Sequence, residues 1–342
     1  MKKLLNTLYV LTLDSYLFCR NENICVRIGD MEKLSVPALN IDSIVCFGKM
    51  TVSTPLLEFC GSHGISLTFI RENGRFMGRL QGPVSGNVLL RKRQYASMED
   101  AAFAQRTVQS ILLAKLRNSK LVLMRVARTE RAGAYKEELM LGVQQLNEAV
   151  ANLLECSSVD SMRGIEGAAA TSYFARFDCM LAGNPGGFRF DTRSRRPPRN
   201  EVNAALSFTY MLLSGQMQSA MEAVGLDPAA GYLHTLRPGR ASFALDLIEE
   251  LRAPLCDRFV LSLFNKGQLS RSDFDQDEEM VSLNERGHRT LLSAWEKRKQ
   301  EQIVHPFLKE KVPIGLIPYV QAMLFARVLR GDLDDYPPFV WR

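Results

Sequence analysis

The residues best suited to chemistry gather in one stretch, from Gly231 to Arg252. His234 stands on a turn just ahead of Pro238-Gly239, and Asp246, Glu249 and Glu250 follow in Ser242-Phe-Ala-Leu-Asp-Leu-Ile-Glu-Glu-Leu-Arg252. On a helix, spacings of three and four residues bring these carboxylates to one side within a turn. Like charges that close repel unless a cation stands among them. A histidine beside carboxylates, in a chain with only 4 histidines, suits a hard divalent cation completed by water, Mg²⁺ or Mn²⁺. The competing reading is a solvated acidic helix face preceded by a structural histidine. A further carboxylate is needed to hold such a cation. Glu166, in Arg163-Gly-Ile-Glu-Gly-Ala-Ala-Ala170, is the candidate, because Gly167 and the alanines leave room for another backbone or a ligand. Its alternative role is a glutamate favoured by the dipole of an early helical turn. Glu166 and His234 are far apart in sequence, so only the fold can bring them together.

Two kinds of element must do that positioning. From Asn6 to about Gly82 the segments are short, rich in Val, Ile, Leu, Thr and Phe, and broken by turn residues, which is strand spacing. Strands are predicted at 8–13, 16–19, 24–28, 32–37, 41–47, 65–70 and 76–80, with turns at Asn21-Glu22-Asn23 and Glu72-Asn73-Gly74. One helix is predicted over 55–63, capped by Thr54. Gly82-Pro83 to Gly86 reads as a boundary, and beyond it the pattern is helical: 88–98, 101–118, 137–156, 160–182, 202–224, 242–264, 282–304 and 316–330. Between the fourth and fifth of these, residues 183–200 are too rich in Gly and Pro for a helix, and Asp273 to Glu279 reads as a solvated acidic loop. The expected fold class is α+β, with a small β-rich N-terminal domain (1–84) followed by a large all-α C-terminal domain (85–342).

Composition supports a globular chain: 342 residues, 46% hydrophobic, with 43 basic and 37 acidic side chains for a net charge of +6. The distribution of charge says more than its sum. Between Arg91 and Arg131 stand ten basic and three acidic residues, and the Gly/Pro-rich loop adds Arg189, Arg193, Arg195, Arg196 and Arg199. Arginine's planar fork matches phosphate oxygens, so nucleic acid is the fitting partner; the bland alternative is a solvated helix face. The opening Met1-Lys-Lys-Leu-Leu is interrupted by Asn6, Thr7 and Thr12 and reads as a strand rather than a secretory leader. No apolar run reaches the roughly 18 residues of a membrane span. Seven scattered cysteines, without a C-x-x-C pair, read as reduced thiols, and the expected compartment is the cytoplasm.

Four blocks, taken together and in order, are similar to the signature blocks of one family. They are Arg163 to Ala170, Pro198-Arg-Asn-Glu-Val-Asn-Ala-Ala-Leu-Ser-Phe-Thr-Tyr210, Gly225-Leu-Asp-Pro-Ala-Ala-Gly-Tyr-Leu-His-Thr235, and Ser242 to Arg252. They resemble the CRISPR-associated integrase, the catalytic subunit of the spacer-acquisition complex, in a form similar to the type I-C branch, and the resemblance spans essentially the whole chain. It implies that Glu166, His234 and Glu249 are metal ligands and Asp246 an acidic neighbour in the same catalytic site. Some relatives carry aspartate where this chain has Glu249, which leaves the choice between Asp246 and Glu249 as ligand open. The resemblance implies attack by the 3′-hydroxyl of a captured DNA fragment on a phosphodiester at the end of a CRISPR repeat. It further implies Mg²⁺ or Mn²⁺ as cofactor, a homodimer, and a small second adaptation protein bridging two dimers; the β-rich domain is the expected dimer surface, because the helical domain must leave its basic faces open. Arg237 and Arg240 are placed to bind phosphate, or else to bridge loop to helix. Arg195 and Arg196 are further DNA-binding candidates, and Tyr210 either stacks or hydrogen-bonds near the DNA or is a core tyrosine. Two other functions fit the residues: a metal-dependent nuclease acting on branched DNA in repair, and a non-enzymatic DNA-binding scaffold.

Overall fold

The structure, a computed structural model, describes residues 6–71, 76–80, 82, 88–181 and 183–341. It is α+β. The N-terminal region holds β1 (Asn6–Val10), β2 (Ser15–Arg20), β3 (Asn23–Ile28), β4 (Met31–Pro37), β5 (Ile41–Phe47), β6 (Met50–Val52), α1 (Thr54–His63), β7 (Ser66–Ile70) and β8 (Phe76–Leu80). These form two four-stranded sheets, ordered β1-β5-β7-β8 and β4-β3-β2-β6. The period of two along β5 explains how the sheets meet the rest of the chain. Ile44 and Cys46 enter a small core with Leu17, Ile24, Leu56 and Leu67, while Val45 and Phe47 point the other way into the main helical core. A strand buried on both faces reads as an unbroken apolar run, as Ile44-Val-Cys-Phe47 does. The cap of α1 is Ser53 rather than Thr54, its hydroxyl accepting from Leu56 N at 3.3 Å. The three-residue strand β6 is too short to show a period in sequence. The Glu72-Asn73-Gly74 turn and most of the 82–86 boundary lie outside the described residues.

The helical region follows with α2 (Val88–Glu99), α3 (Ala101–Ala127), α4 (Lys136–Glu155), α5 (Val159–Ala175), α6 (Phe177–Met180), α7 (Glu201–Val224), α8 (Ser242–Leu251) and α9 (Arg258–Asn265). Then come β9 (Phe274–Gln276), β10 (Val281–Leu283), α10 (Glu285–Gln300), β11 (Gln302–Val304), β12 (Lys311–Pro313) and α11 (Ile317–Arg330). Residues 183–200 are free of regular structure, as their glycines and prolines demand. Two short antiparallel hairpins, β9/β10 and β11/β12, are additions that periodicity did not predict. The first converts part of the expected acidic loop into strand, with Asp277 Oδ1 accepting from the amides of Glu279 and Met280 to close its turn. It also trims the helix predicted at 282–304, which starts only after Asn284 caps it through Gly287 N. All seven cysteines are unpaired, and no helix among the described residues is long and apolar enough to cross a membrane.

The helix predicted over 242–264 is interrupted by a π-helical turn, Arg252–Asp257. Pro254 has no N–H to donate to the carbonyl of Glu250, four residues back, so the regular ladder breaks there. Asn118 of α3 fills the gap: its Nδ2 donates to Glu250 O at 2.7 Å and to Phe339 O at 2.8 Å, while its Oδ1 accepts from Trp341 N at 2.8 Å. The C-terminal tail is thereby laid along α8. The Glu250 carboxylate completes the attachment, accepting from Gln321 Nε2 at 2.8 Å, Tyr336 Oη at 2.7 Å and Phe339 N at 3.0 Å. Burial nevertheless outweighs these three donors and pushes the Glu250 carboxyl up to about 7.

A raised carboxyl pKa means that the folded state keeps a proton the unfolded chain has released. From about pH 4.3, an ordinary glutamate's value, up to about pH 7, Glu250 therefore takes stability away as pH rises. Melting temperatures of the wild type are expected to carry this downward slope between about pH 5 and pH 7, and Glu250→Gln, which cannot titrate, to show a shallower one. Coincident slopes for the two proteins would contradict the assignment.

Candidate active site

Three helices and one turn converge at the site. Lys115 comes from α3, Glu166 from α5, Asp246 and Glu249 from α8, and His234 from the turn between α7 and α8. Asp246 is fully buried and fully engaged. Its Oδ2 accepts from the backbone amides of Tyr232 (2.6 Å) and Leu233 (2.9 Å), and its Oδ1 from His234 N (2.9 Å) and His234 Nδ1 (2.6 Å). Four donors on one carboxylate leave it little capacity as a metal ligand. With the proton placed on Nδ1 by this bond, the His234 Nε2 lone pair is free to accept or to ligate, and Nε2 lies 3.9 Å from Glu249 Oε1. The turn is anchored from the other side by Arg163 Nε, which donates to Leu233 O at 2.6 Å.

Glu166 and Glu249 share one cation. The Lys115 ammonium donates to Glu166 Oε1 and, at 2.5 Å, to Glu249 Oε2. Arg252 reaches the other Glu249 oxygen at 3.1 Å. Burial pushes the Glu249 carboxyl up, but Arg252 and Lys115, with a smaller contribution from His234, outweigh it and hold the group well below the ordinary carboxylate range. Among the described residues, no three His, Cys, Asp or Glu side chains are gathered as a metal site; the ammonium stands between two of the expected ligands. The donors themselves fit a hard divalent ion: two carboxylates focused on one positive charge, with an imidazole nitrogen alongside.

Behind Glu249 lies a second set of buried charges. The Arg252 guanidinium carbon sits 5.0 Å from the centre of the Tyr210 ring and that of Arg193 5.4 Å. The Tyr210 hydroxyl donates to Asp257 Oδ1 at 2.5 Å and that of Tyr173 to Asp257 Oδ2 at 3.0 Å. Burial raises the Asp257 carboxyl to about 6 against the opposing pull of these donors and of Arg193 and Arg252. Tyr210 thus spends its hydroxyl and its ring on protein groups that hold Arg252. Arg195 is exposed and lines the same small cavity as Lys115, Glu249 and Arg252, and with Arg196 it borders a larger groove floored by Phe208 and Met211. Arg237 is exposed and Arg240 half-buried on the turn after His234. The basic span of α2 and α3 is divided in use: Arg93 Nη1 caps α11 through Arg330 O at 2.8 Å, Arg125 lies over Trp341, Lys115 enters the site, and Lys92, Arg117 and Arg128 face solvent.

Sequence reasoning singled out neither Lys115 nor Arg252 or Asp257 as site residues. The available signal for Lys115 is a polar stripe, Lys115, Asn118 and Ser119, at helical spacing between the buried Ile111, Leu112, Ala114 and Leu116. Glu250 shares its helix with Asp246 and Glu249 but serves the tail instead. Glu166 lies in the middle of α5 rather than in its first turn. The space beside Gly167 is open: a Cβ built there meets no protein atom within 4 Å.

Comparison with known proteins gives one consistent answer. The family model described as CRISPR associated protein Cas1 matches residues 8–297. The chain is 44% identical, over 344 aligned positions covering 100% of both chains, to a protein named CRISPR-associated endonuclease Cas1 1 from Chlorobaculum tepidum. Among solved structures it is similar to a chain of a Cas6-RT-Cas1–Cas2 complex, with a TM-score of 0.84 and 21% identity over 100% of this chain and 36% of that longer one. It is also similar to a casposase bound to integration product, with a TM-score of 0.83 and 20% identity, covering 99% of this chain and 95% of the other.

The turn that carries His234 has no room to spare. A Cβ on Gly231 would stand 2.7 Å from Asp246 Oδ2 and 2.8 Å from Phe243 N. Gly231→Ala is therefore expected to lower stability by about 1–3 kcal/mol in urea denaturation, whereas Gly167→Ala, in open space within a helix, is expected to raise it by about 0.5–1 kcal/mol. Equal effects at the two positions would contradict the packing described.

Proposed function

The chain belongs to the CRISPR-associated Cas1 family, and on that footing we propose that it is a metal-dependent DNA endonuclease and integrase that inserts short DNA fragments as spacers into a CRISPR array. The observation that carries the reading is the convergence of Glu166 and Glu249 on a single positive charge beside His234 Nε2. In this reading Glu166, Glu249 and His234 hold Mg²⁺ or Mn²⁺, and Asp246 fixes the imidazole so that Nε2 faces the ion. A divalent cation there would polarise the scissile phosphate and stabilise negative charge on its oxygens. Arg252, held by Tyr210, which is tied to Asp257, fixes the Glu249 carboxylate in place, and Arg237 and Arg240, on the turn after His234, would bind phosphates next to the reacting one. Arg195 and Arg196, exposed at the neighbouring groove, extend that basic track. Attack by a DNA 3′-hydroxyl would form a new phosphodiester as the bond to the target strand's own 3′-oxygen breaks and that oxygen leaves as a hydroxyl, joining the strands; attack by water at the same site would nick them.

The relative is named an endonuclease, one structural neighbour is a casposase bound to integration product, and the other is a chain of a Cas6-RT-Cas1–Cas2 complex. Those names support DNA as substrate and a small second adaptation protein as partner. Joining a fragment at both ends needs two active sites, so the working unit is a homodimer, with two dimers bridged by that partner. The edge strand β4 and the turn after it expose Met31, Leu34 and Leu39, apolar groups suited to the dimer contact.

With a duplex fragment, supercoiled repeat DNA and the partner protein, Glu166→Ala and His234→Ala are each expected to reduce Mn²⁺-dependent joining by about 100-fold or more, the loss of several kcal/mol of charge stabilisation. EDTA should abolish joining by the wild type, and salt-sensitive DNA binding should survive in both variants. Undiminished joining by both variants would sink the site. Nicking by the wild type without covalent joining would favour a repair nuclease, and neither reaction a DNA-binding scaffold.

A further inference from the structure

Placing two carboxylates side by side, Glu249 buried on α8 and Glu166 half-buried on α5, is unfavourable without a positive charge between them. Among the described residues a lysine and an arginine touch this pair, and they are held differently. Arg252 contacts only Glu249 and is fixed by Tyr210, which is itself tied to Asp257. Lys115 alone spans both carboxylates, and it does so from the end of a four-carbon stem that pivots on α3. An ion bound by Glu166 and Glu249 needs the oxygens that the ammonium now holds, and two positive charges packed against the same oxygens repel strongly at this depth.

We propose that Lys115 is a positioning residue that acts as an internal cation: it holds Glu166 and Glu249 together before a divalent ion arrives and must be displaced for that ion to bind. This rests on the metal-site reading of Glu166, Glu249 and His234. Metal affinity is then the outcome of a competition inside the protein, lowered by the fraction of molecules in which the lysine still bridges the carboxylates. The same contact keeps the metal-free site assembled, so that binding needs one side chain to swing away rather than three helices to gather.

The test is direct Mn²⁺ binding without DNA, by isothermal titration calorimetry and by the electron paramagnetic resonance signal of free Mn²⁺. It is run on the wild type, Lys115→Met, Lys115→Arg and Glu166→Gln, with melting temperatures in EDTA and in Mn²⁺. Lys115→Met is expected to melt lower than the wild type in EDTA yet to bind Mn²⁺ about tenfold or more tightly, as expected when a competitor that occupies roughly nine-tenths of molecules is removed. Lys115→Arg, which keeps the positive charge, should bind no more tightly than the wild type. If Lys115→Met is unfolded in EDTA, Mn²⁺ should restore its cooperative melting. Unchanged or weaker Mn²⁺ binding by Lys115→Met, tighter binding by Lys115→Arg, or a Met variant that stays unfolded in saturating Mn²⁺ would each overturn the proposal while leaving the metal site standing. If the wild type binds no Mn²⁺ that Glu166→Gln removes, the metal-site reading itself fails, and the role of Lys115 with it.

Discussion

Three carboxylates on one ten-residue helix have to be buried, and the rest of the structure follows from how each is satisfied. Asp246, Glu249 and Glu250 are all less than 5% exposed, so each must find charge or hydrogen bonds in the interior. Asp246 takes the His234 turn. Glu249 takes Lys115 and Arg252. Glu250 takes the C-terminal tail. One buried helix thus draws together the turn just before it, two other helices, and the last residues of the chain. The site is assembled by the same bonds that make the helix tolerable in the core.

That arrangement separates roles that the residue types alone leave mixed. Asp246, with four donors, is the part that orients. Glu249 has its oxygens shared between the Lys115 ammonium, on a flexible four-carbon stem, and the Arg252 guanidinium, held against Tyr210. Glu250, its carboxyl pushed up by burial and bonded to the tail, belongs to stability. The π turn after α8 ties these together. Pro254 frees the Glu250 carbonyl for Asn118, the turn brings Arg252 back against Glu249, and Asp257 at its end braces Tyr210 beneath that arginine.

Much of this was legible in sequence where the signal is periodic or punctuated. The short strands of the first 80 residues, the long helices after them, and the irregular Gly/Pro-rich loop all follow from spacing and turn chemistry. His234 and the acidic helix announce themselves as a cluster, and the family's blocks single out Glu166 from a helix far away in sequence. What sequence could not give are long-range pairings. Lys115 looks like one of ten basic residues in a stretch suited to a DNA surface, and only the fold turns it inward between two carboxylates. Arg93 and Arg125 belong to that same stretch and are spent on a helix end and on Trp341. The short strands β6, β9 to β12 lack the length to show a period, and the π turn depends on an asparagine from another helix accepting the job that Pro254 cannot do.

The most direct test of this account is a crystal structure of the protein with Mn²⁺, read by anomalous scattering. The account predicts one peak per chain, bonded to a carboxylate oxygen of Glu166, to Glu249 and to His234 Nε2, with Asp246 still on Nδ1 and the Lys115 ammonium swung off both glutamates. A peak bonded to Asp246 in place of Glu249, or Lys115 still bridging Glu166 and Glu249 while the metal sits elsewhere, would contradict it.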